Sequence, residues 1–566
     1  MSSDTEPQPG TGASEEPTDD QSPPQTAAGT HRPGATTRLL IVNSLSTYAR
    51  LAGTFVVGLI VTPYLGLEDH LGLAGFGLFS ILLSSVGILT FVQTTVRSAL
   101  IRELSAAYYA EDQQVLPRRF TSAVISSFLL GLILCVGMLL LAPLAVWIIK
   151  FPEEYAGEVW WSWVVLSAEI SGLVWAVPFL ILFDARQKIP ISNAFLLLER
   201  LCALGAAYLV FGMDVGRETP LLSFVLWYAI LRTGVRLIGS LAAYVSCPRA
   251  RLHLSLYDRS ELGRILRTGK HVLMQEVSTN LYNRANQLLA NLFLGSAANG
   301  VFGAAIQLKE YSRQVGLGLC YGIEPLAAKF AESDDGGRKH VGNLILTMTR
   351  IQAGVILPII TMIVMLSFPL VNLWLADKFN SQWEHANSHI ATMVIILLLG
   401  NTFFVVAQGM LRIMLGAGDV HHYAHRLLQA GIVQTVLALV VLVIATRQFG
   451  TDTSESKAAV LYAVSGCMSL IQILAYGLYL PLLACRLYHL RRRAMYLTSF
   501  GPGILVSLAT ALTIVICQRF LIGDSGWAVL ITLGVSGCVT APIALFAVLT
   551  AQERSRILVA FGLRRG

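Results

Sequence analysis

The stretch NLYNRANQLLANLFLG, residues 280–295, carries an arginine, four asparagines and a glutamine inside a run apolar enough for a membrane helix. An arginine at a helix centre costs about 2.5 to 3.5 kcal/mol on insertion scales, so its charge is expected to face something other than lipid. Extended upstream by a turn, Glu276, Asn280, Asn283, Arg284, Gln287 and Asn291 recur at spacings that confine them to one sector of a helix turning about 100° per residue. Asn286 falls off that sector. A second stripe, Asn43, Ser46, Thr47, Arg50 and Thr54, lies in the first apolar run, and a third, Lys309, Glu310, Arg313, Gly316 and Glu324, in the eighth.

The chemistry such stripes can do is anion capture. Guanidinium groups chelate phosphate oxygens through paired charge-assisted hydrogen bonds, and amides suit the alternating donors and acceptors of sugars. On that reading Arg50, Arg284, Arg313 and Lys309, with Asn43, Asn280, Asn283, Gln287 and Asn291, line a wet cavity for a phosphorylated glycan. Glu276, Glu310 and Glu324 are then candidates for proton coupling. A structural reading stands beside it: polar side chains bond between helices, and Glu199 with Arg200, or Glu310 with Arg313, neutralise one another. Arg232, Arg236 and Arg350 could also snorkel toward the membrane surface.

The elements that must position these residues are membrane helices. Of 566 residues 54% are hydrophobic and 13% charged, outside the range of soluble domains. Spans are expected near 39–64, 73–95, 120–149, 159–183, 190–212, 220–245, 271–294, 300–328, 341–374, 388–411, 427–446, 458–484, 497–518 and 527–550. The alternate loops that would share a side with the N-terminus, together with the C-terminal tail, hold 25 Lys and Arg against 6 on the other side. That bias predicts an inner (plasma) membrane protein with both termini cytoplasmic. Residues 1–36, almost devoid of aliphatic side chains, read as a disordered tail.

The halves echo each other. PYLGLEDHLGLAGFGLFSILL (63–83) leads to SALIRELSAAYYAEDQQ (98–114), as LFLGSAANGVFGAAIQL (292–308) leads to PLAAKFAESDDGG (325–337). The expected architecture is all-α, about fourteen transmembrane helices: a six-helix lobe over 37–245, a cytoplasmic linker over 246–270, a second six-helix lobe over 271–484, two further helices over 485–550 and a basic tail over 551–566. Repeated halves imply a site between them near the midplane.

The Leu-Gly, short turn and GFGLFS at 75–80, the segment 98–114 and the echo around Gly295 to Gly303 resemble the polysaccharide transporter family, the O-antigen type lipid-linked oligosaccharide flippases of the multidrug/oligosaccharidyl-lipid/polysaccharide exporter superfamily. The resemblance covers about residues 38–550. It implies two rocking lobes, a cationic central cavity for a polyprenyl diphosphate at Arg50, Arg284 and Arg313, membrane lipids around it, and the polymerase and export proteins of a surface polysaccharide (lipopolysaccharide) pathway as partners. Span 7 departs from the pattern, holding Asn283 and Arg284 where such proteins often carry an acid.

Rival readings are a multidrug extruder, which would want cavity acids where span 1 offers only Arg50, and a membrane glycosyltransferase or polymerase, which would want a large outer loop. No GxxxxGK[ST] loop points to ATP. His421 and His425 stand one helical turn apart without a third ligand nearby, and the eight cysteines show no CxxC spacing, so no metal or cofactor is expected. The chain reads as a transporter of a glycan, with no enzymatic or nucleic-acid role.

Overall fold

Apolar side chains repeat at helical spacing through the chain, and helices are what form. The computed structural model describes residues 33–560 except 88–89, 109–111, 321–322, 332–336, 377 and 521–525. No strand occurs among the described residues. By contacts the chain divides into Met1–Val42 and Asn43–Gly566, and the first unit contributes only the opening residues of α1. Nearly all of the expected N-terminal tail lies outside the described residues; the helix begins at Pro33.

The first half contains α1 (Pro33–Leu65), α2 (Gly72–Gly87), α3 (Thr90–Tyr108), α4 (Val115–Ile148), α5 (Ala156–Ala185), α6 (Ile189–Ala207) and α7 (Pro220–Val245). The second opens with α8 (Arg259–Asn280), a π-helical turn (Leu281–Ala285), α9 (Asn286–Leu294), α10 (Ser296–Leu319) and α11 (Ile323–Ala331). It continues through α12 (Gly337–Met365), α13 (Ser367–Leu375), α14 (Ala386–Gly416), α15 (Val420–Phe449), α16 (Ser454–Gln472) and α17 (Leu480–Leu487). Then come α18 (Gly501–Phe520), α19 (Gly526–Val548) and a short α20 (Ala551–Ala560).

Eleven helices among the described residues are long and apolar enough to cross a membrane. With the helical fold, this makes the chain an all-α polytopic membrane protein. The three remaining expected spans are helical too, as α2–α3, α8–α9 and α10, but their polar stripes or short apolar length keep them below that threshold. The least lipid-like helices are therefore the ones that carry the candidate chemistry.

Two helices stand at the axes. α5 packs against α3, α4 and α7, and α14 against α10, α12 and α16. Their apolar windows are 61% and 67% buried, whereas α1, α4, α18 and α19 bury about a fifth and present the rest to the membrane. α5 and α14 are the fourth spans of the two sequence halves, so the echo in sequence has a counterpart in packing.

α2 and α10, the echoing segments, cross at glycine. A β-carbon at Gly77 would overlap the Ser296 carbonyl, and one at Gly300 would fall 2.6 Å from the Leu73 carbonyl. Small residues let the two backbones touch, and Asn299 Nδ2 donates to the Gly77 carbonyl at 2.9 Å.

α8 begins at Arg259, inside the expected linker 246–270, capped by Asp258, whose carboxylate accepts the Ser260 N–H at 2.8 Å. Hydrogen bonds from Ser260 also hold the Asp258 pKa below its usual range. The basic tail is partly ordered: α20 is tied back by Arg350 Nη2 on α12, which donates to both Glu553 oxygens at 2.7 and 2.9 Å. Residues 561–566 of that tail lie outside the described residues.

Candidate functional site

The widened turn Leu281–Ala285 carries Asn283 and Arg284. π turns disturb the regular ladder and leave side chains aimed where an α-helix would not put them. Here the Asn280 and Asn283 amides donate to the Glu276 and Thr279 carbonyls, each at 2.9 Å, leaving their oxygens as acceptors. Arg284 Nε donates to Asn280 Oδ1 at 3.0 Å, and its Nη1 reaches the Leu83 carbonyl of α2 at 3.3 Å. A β-carbon at Gly87 would overlap that guanidinium. Arg284 thus bridges from the second half to the first, held by neutral oxygens and with no ion pair among the described residues.

Lys309 lies one helix over and is fully buried. Its ammonium donates to Asn283 Oδ1 at 2.8 Å, and no carboxylate among the described residues lies within ion-pair distance. Burial at 0% exposure keeps it from touching a bound solute in this conformation, so its expected role as a direct ligand is not what the geometry offers. Arg313 also differs from expectation. Of the two readings of its stripe, the structural one describes Arg313 here: its Nε donates to both Glu310 oxygens at 2.8 Å, one turn away on α10. Glu324 pairs with Arg412 on α14, which the sequence had placed in a loop. Glu276 lies within electrostatic range of Arg412 and Arg313, with no ion pair among the described residues.

Glu199 does not neutralise its neighbour Arg200. It binds Arg236 Nε at 3.1 Å and Arg232 Nη2 at 3.6 Å, while Glu169 binds Arg236 Nη1 at 2.5 Å and Arg232 Nη1 at 3.1 Å. These four side chains form a buried, charge-balanced knot joining α5, α6 and α7, so Arg232 and Arg236 do not snorkel. Arg200 is left exposed with no ion pair among the described residues, within electrostatic range of Arg284 and Tyr311. Its helix register agrees: Asn193 of α6 donates to Ser46 and Thr47 of α1 at 2.9 and 3.1 Å, and Leu197 lies over Gly53. Tyr311 packs on the next stretch of α1, edge-on to Phe55 at 4.9 Å and against Gly58.

The charged groups Arg313, Glu310, Arg412, Glu324 and Glu276 of the second half thus lie within electrostatic range of one another, with Arg284 and Lys309 near Glu310, and Arg200 of α6 near Arg284. The Arg313, Glu310, Arg412 and Glu324 side chains remain 23% to 36% exposed. Arg50 lies half-buried on α1, next to Leu51, which packs over Gly318 of α10.

The remaining expected residues are joints between helices. Asn43 is buried on α1, and its carbonyl accepts from Ser46 and Thr47. Gln287 accepts from Ser84 and donates to Ser80 of α2 at 3.3 Å. Asn291 is fully buried, its Oδ1 accepting the Lys150 backbone N–H at 2.9 Å and its Nδ2 donating to the Lys150 carbonyl at 3.2 Å. Asn286, off the stripe, accepts from Gln434 of α15 at 2.9 Å. The stripe of α8–α9 faces protein at its Asn291 end and the cleft at its Glu276 end.

Arg200 and Arg412 were missed as site residues. Arg412 carried a signal, since the apolar run ends only at 411; Arg200 was hidden by a carboxylate beside it in sequence. No group of three or more His, Cys, Asp or Glu among the described residues is placed to hold a metal.

No family model and no curated protein matches the sequence. Solved structures do match in fold. The lipid II flippase MurJ in its inward closed conformation superposes with a TM-score of 0.53 at 12% identity, covering 93% of this chain and 100% of that one. An inward-facing multidrug resistance MATE family transporter of the MOP superfamily gives 0.57 at 13%, covering 79% and 99%. A MOP superfamily transporter from Pyrococcus furiosus, described by the reversed polarity of its binding pocket, gives 0.54 at 15%, covering 80% and 96%. The chain has the fold of these transporters.

Proposed function

We propose that this protein is a flippase that moves a polyprenyl-diphosphate-linked oligosaccharide from the inner to the outer leaflet for surface polysaccharide assembly. The observation that carries the reading is Arg284, which reaches from the second half to the Leu83 carbonyl of the first on neutral oxygens and with no ion pair among the described residues, within electrostatic range of Arg200 as well as of the paired Glu310 and Arg313. Like charges repel, and an anion between them converts the repulsion into two attractions. The Tyr311 hydroxyl, which accepts from Gln307 at 2.6 Å, keeps its O–H to donate to a sugar. A lipid II flippase among the proteins of like fold supports a lipid-linked substrate.

The transport cycle is rocking of the half before residue 246 against the half after 258, with the lipid tail left in the bilayer and the headgroup in the cleft. Both termini are cytoplasmic in an inner membrane, following the basic loops. Moving negative charge outward is downhill in an inside-negative membrane by about 2.3 kcal/mol per charge per 100 mV. The polymerase and export proteins of the same pathway are the partners.

The test is headgroup translocation in vesicles of purified protein, using a fluorescent polyprenyl-diphosphate glycan. Wild type is expected to move it, and R200Q and R284Q to bind it about 10- to 100-fold more weakly, as the loss of a charge-assisted bond requires. Movement of an organic cation in place of the glycan would favour the extruder reading, and unchanged glycan transport in both variants would overturn the anion site.

A further inference from the structure

A second feature lies away from Arg284, at the end of the second half where residues 488–493 join the spans Ser454–Leu487 and Ala494–Phe520. His489 turns the chain there with a φ of 52°. Tyr488 is buried and its hydroxyl donates to Asp419 Oδ2 at 2.6 Å, while a β-carbon at Gly342 would fall 2.9 Å from Leu490. The joint draws three segments to one end: the start of α12, the turn from α14 to α15, and residues 486–493. Arg492 lies within electrostatic range of Cys485 and Tyr496, so the loop folds back over the ends of both spans.

What these segments show to the outside is positive. Arg486, Arg491, Arg492 and Arg493 are exposed, as is Arg426 near the start of α15, and none has an ion pair among the described residues. Asp419, the one carboxylate on the described parts of the three segments, is bound by Tyr488 and lies 3.7 Å from His422. Arg338 and Lys339 are exposed at the edge, and Glu332, Asp334 and Asp335, just before them in sequence, fall outside the described residues. At the opposite ends of α15 and α16 the signs mix, with Arg447 and Lys457 beside Asp452 and Glu455. A patch of one sign attracts the other, whereas a mixed surface selects no partner by charge.

Exposed hydrocarbon adjoins the arginines. The π-helical turns Ile473–Tyr479 and Ala494–Phe500 are joined by Tyr496, whose hydroxyl donates to the Gly477 carbonyl at 3.1 Å. Leu474, Leu478, Leu497 and Ile504 on the same two spans are 45% to 60% exposed. Leu497 follows Arg493 by four residues and Leu478 precedes Arg486 by eight, about 6 and 12 Å along a helix. Cations at the end of a span with bare leucine below them match a molecule that is anionic at its head and apolar behind it; a water-soluble anion would use the first feature and leave the second wet. We propose that this end of the second half binds an anionic phospholipid, its phosphodiester on the arginines of 486–493 and its acyl chains along Leu478 and Leu497. A lipid so held is a neighbour of the protein and not its cargo, so the site stands whether or not a glycan is moved.

The experiment uses full-length protein in phosphatidylcholine vesicles with a phosphatidylglycerol that carries a diazirine high on one acyl chain. Expected results are labelling of peptides from 474–504, a loss of about 10-fold in R491Q/R492Q/R493Q, and no change in R447Q/R519Q at the other membrane face. Unlabelled phosphatidylglycerol should compete, and neither phosphatidylcholine nor glycerophosphoglycerol, the headgroup without chains, should do so. Equal labelling by a diazirine phosphatidylcholine overturns the site, as does labelling that persists in the triple variant. Competition by glycerophosphoglycerol also overturns it, in favour of a soluble anion. Should the triple variant fail to accumulate, the wild-type map decides, and label absent from 474–504 removes the proposal.

Discussion

At the scale of single residues, the site depends on how neutral oxygens hold cations. Arg284 is held by one amide and one carbonyl, and Gly87 makes room for it. G87A is therefore expected to push the guanidinium aside and reduce glycan transport as R284Q does, with expression and monodispersity unchanged; transport at the wild-type rate would show that Arg284's position is not needed. Lys309 makes a complementary case. N283L strands a fully buried ammonium and is expected to cost about 1.5 to 3 kcal/mol, read as a lowered melting temperature in detergent, whereas N283D supplies a counter-charge and should recover it. These details were legible in part. The stripe on residues 276–291 was visible from periodicity, but periodicity gives a face and not a partner. It could not say that Gln287 and Asn291 meet α2 and the Lys150 backbone while Asn280 and Asn283 meet cations.

Helices set the next scale. The glycine crossing of α2 and α10 is a contact that rocking of the halves would have to open. Ser80 and Gly303 face each other there, with a β-carbon at 303 falling 2.9 Å from Ser80 Oγ. The double variant S80C/G303C is expected to form a disulfide under mild oxidant, stop transport, and regain it on reduction; transport that continues while cross-linked would exclude opening at this crossing. Within the first half, the knot of Glu169, Glu199, Arg232 and Arg236 ties three helices together. E169Q leaves two buried guanidiniums short of a partner and should destabilise the fold by about 3 to 5 kcal/mol, so that the variant fails to accumulate or melts early. Sequence alone suggested the wrong pairing for Glu199, because adjacency along a helix places side chains about 100° apart and true partners lie on the neighbouring helix.

For the whole molecule, hydropathy located all eleven helices that are long and apolar enough to cross a membrane among the described residues, because the bilayer demands such helices whatever their tertiary partners. The three spans that fell below the apolar threshold are the informative ones, since a helix surrounded by protein and water has no need to please lipid. The ends of the chain were harder. α20 is short and polar, and the contact that ties it to a distant helix, Arg350 with Glu553, spans 203 positions. If the charge moved is negative, raising an inside-negative potential in vesicles with valinomycin and a potassium gradient should increase glycan accumulation on the outer side, by about 2.3 kcal/mol per charge per 100 mV. Accumulation that ignores the potential would point to an ion exchanged in compensation.

The joint at Asn291 has a bearing on mutational tolerance. Its amide pairs with the peptide group of residue 150, the N–H and the carbonyl alike, as one strand pairs with another, and it reads nothing of the lysine side chain. Position 150 can accordingly drift through almost the whole alphabet without loosening the joint, proline excepted for want of an N–H. Position 291 has no such freedom, because among side chains only a carboxamide, or a carboxyl that stays protonated, offers a donor and an acceptor in that planar arrangement.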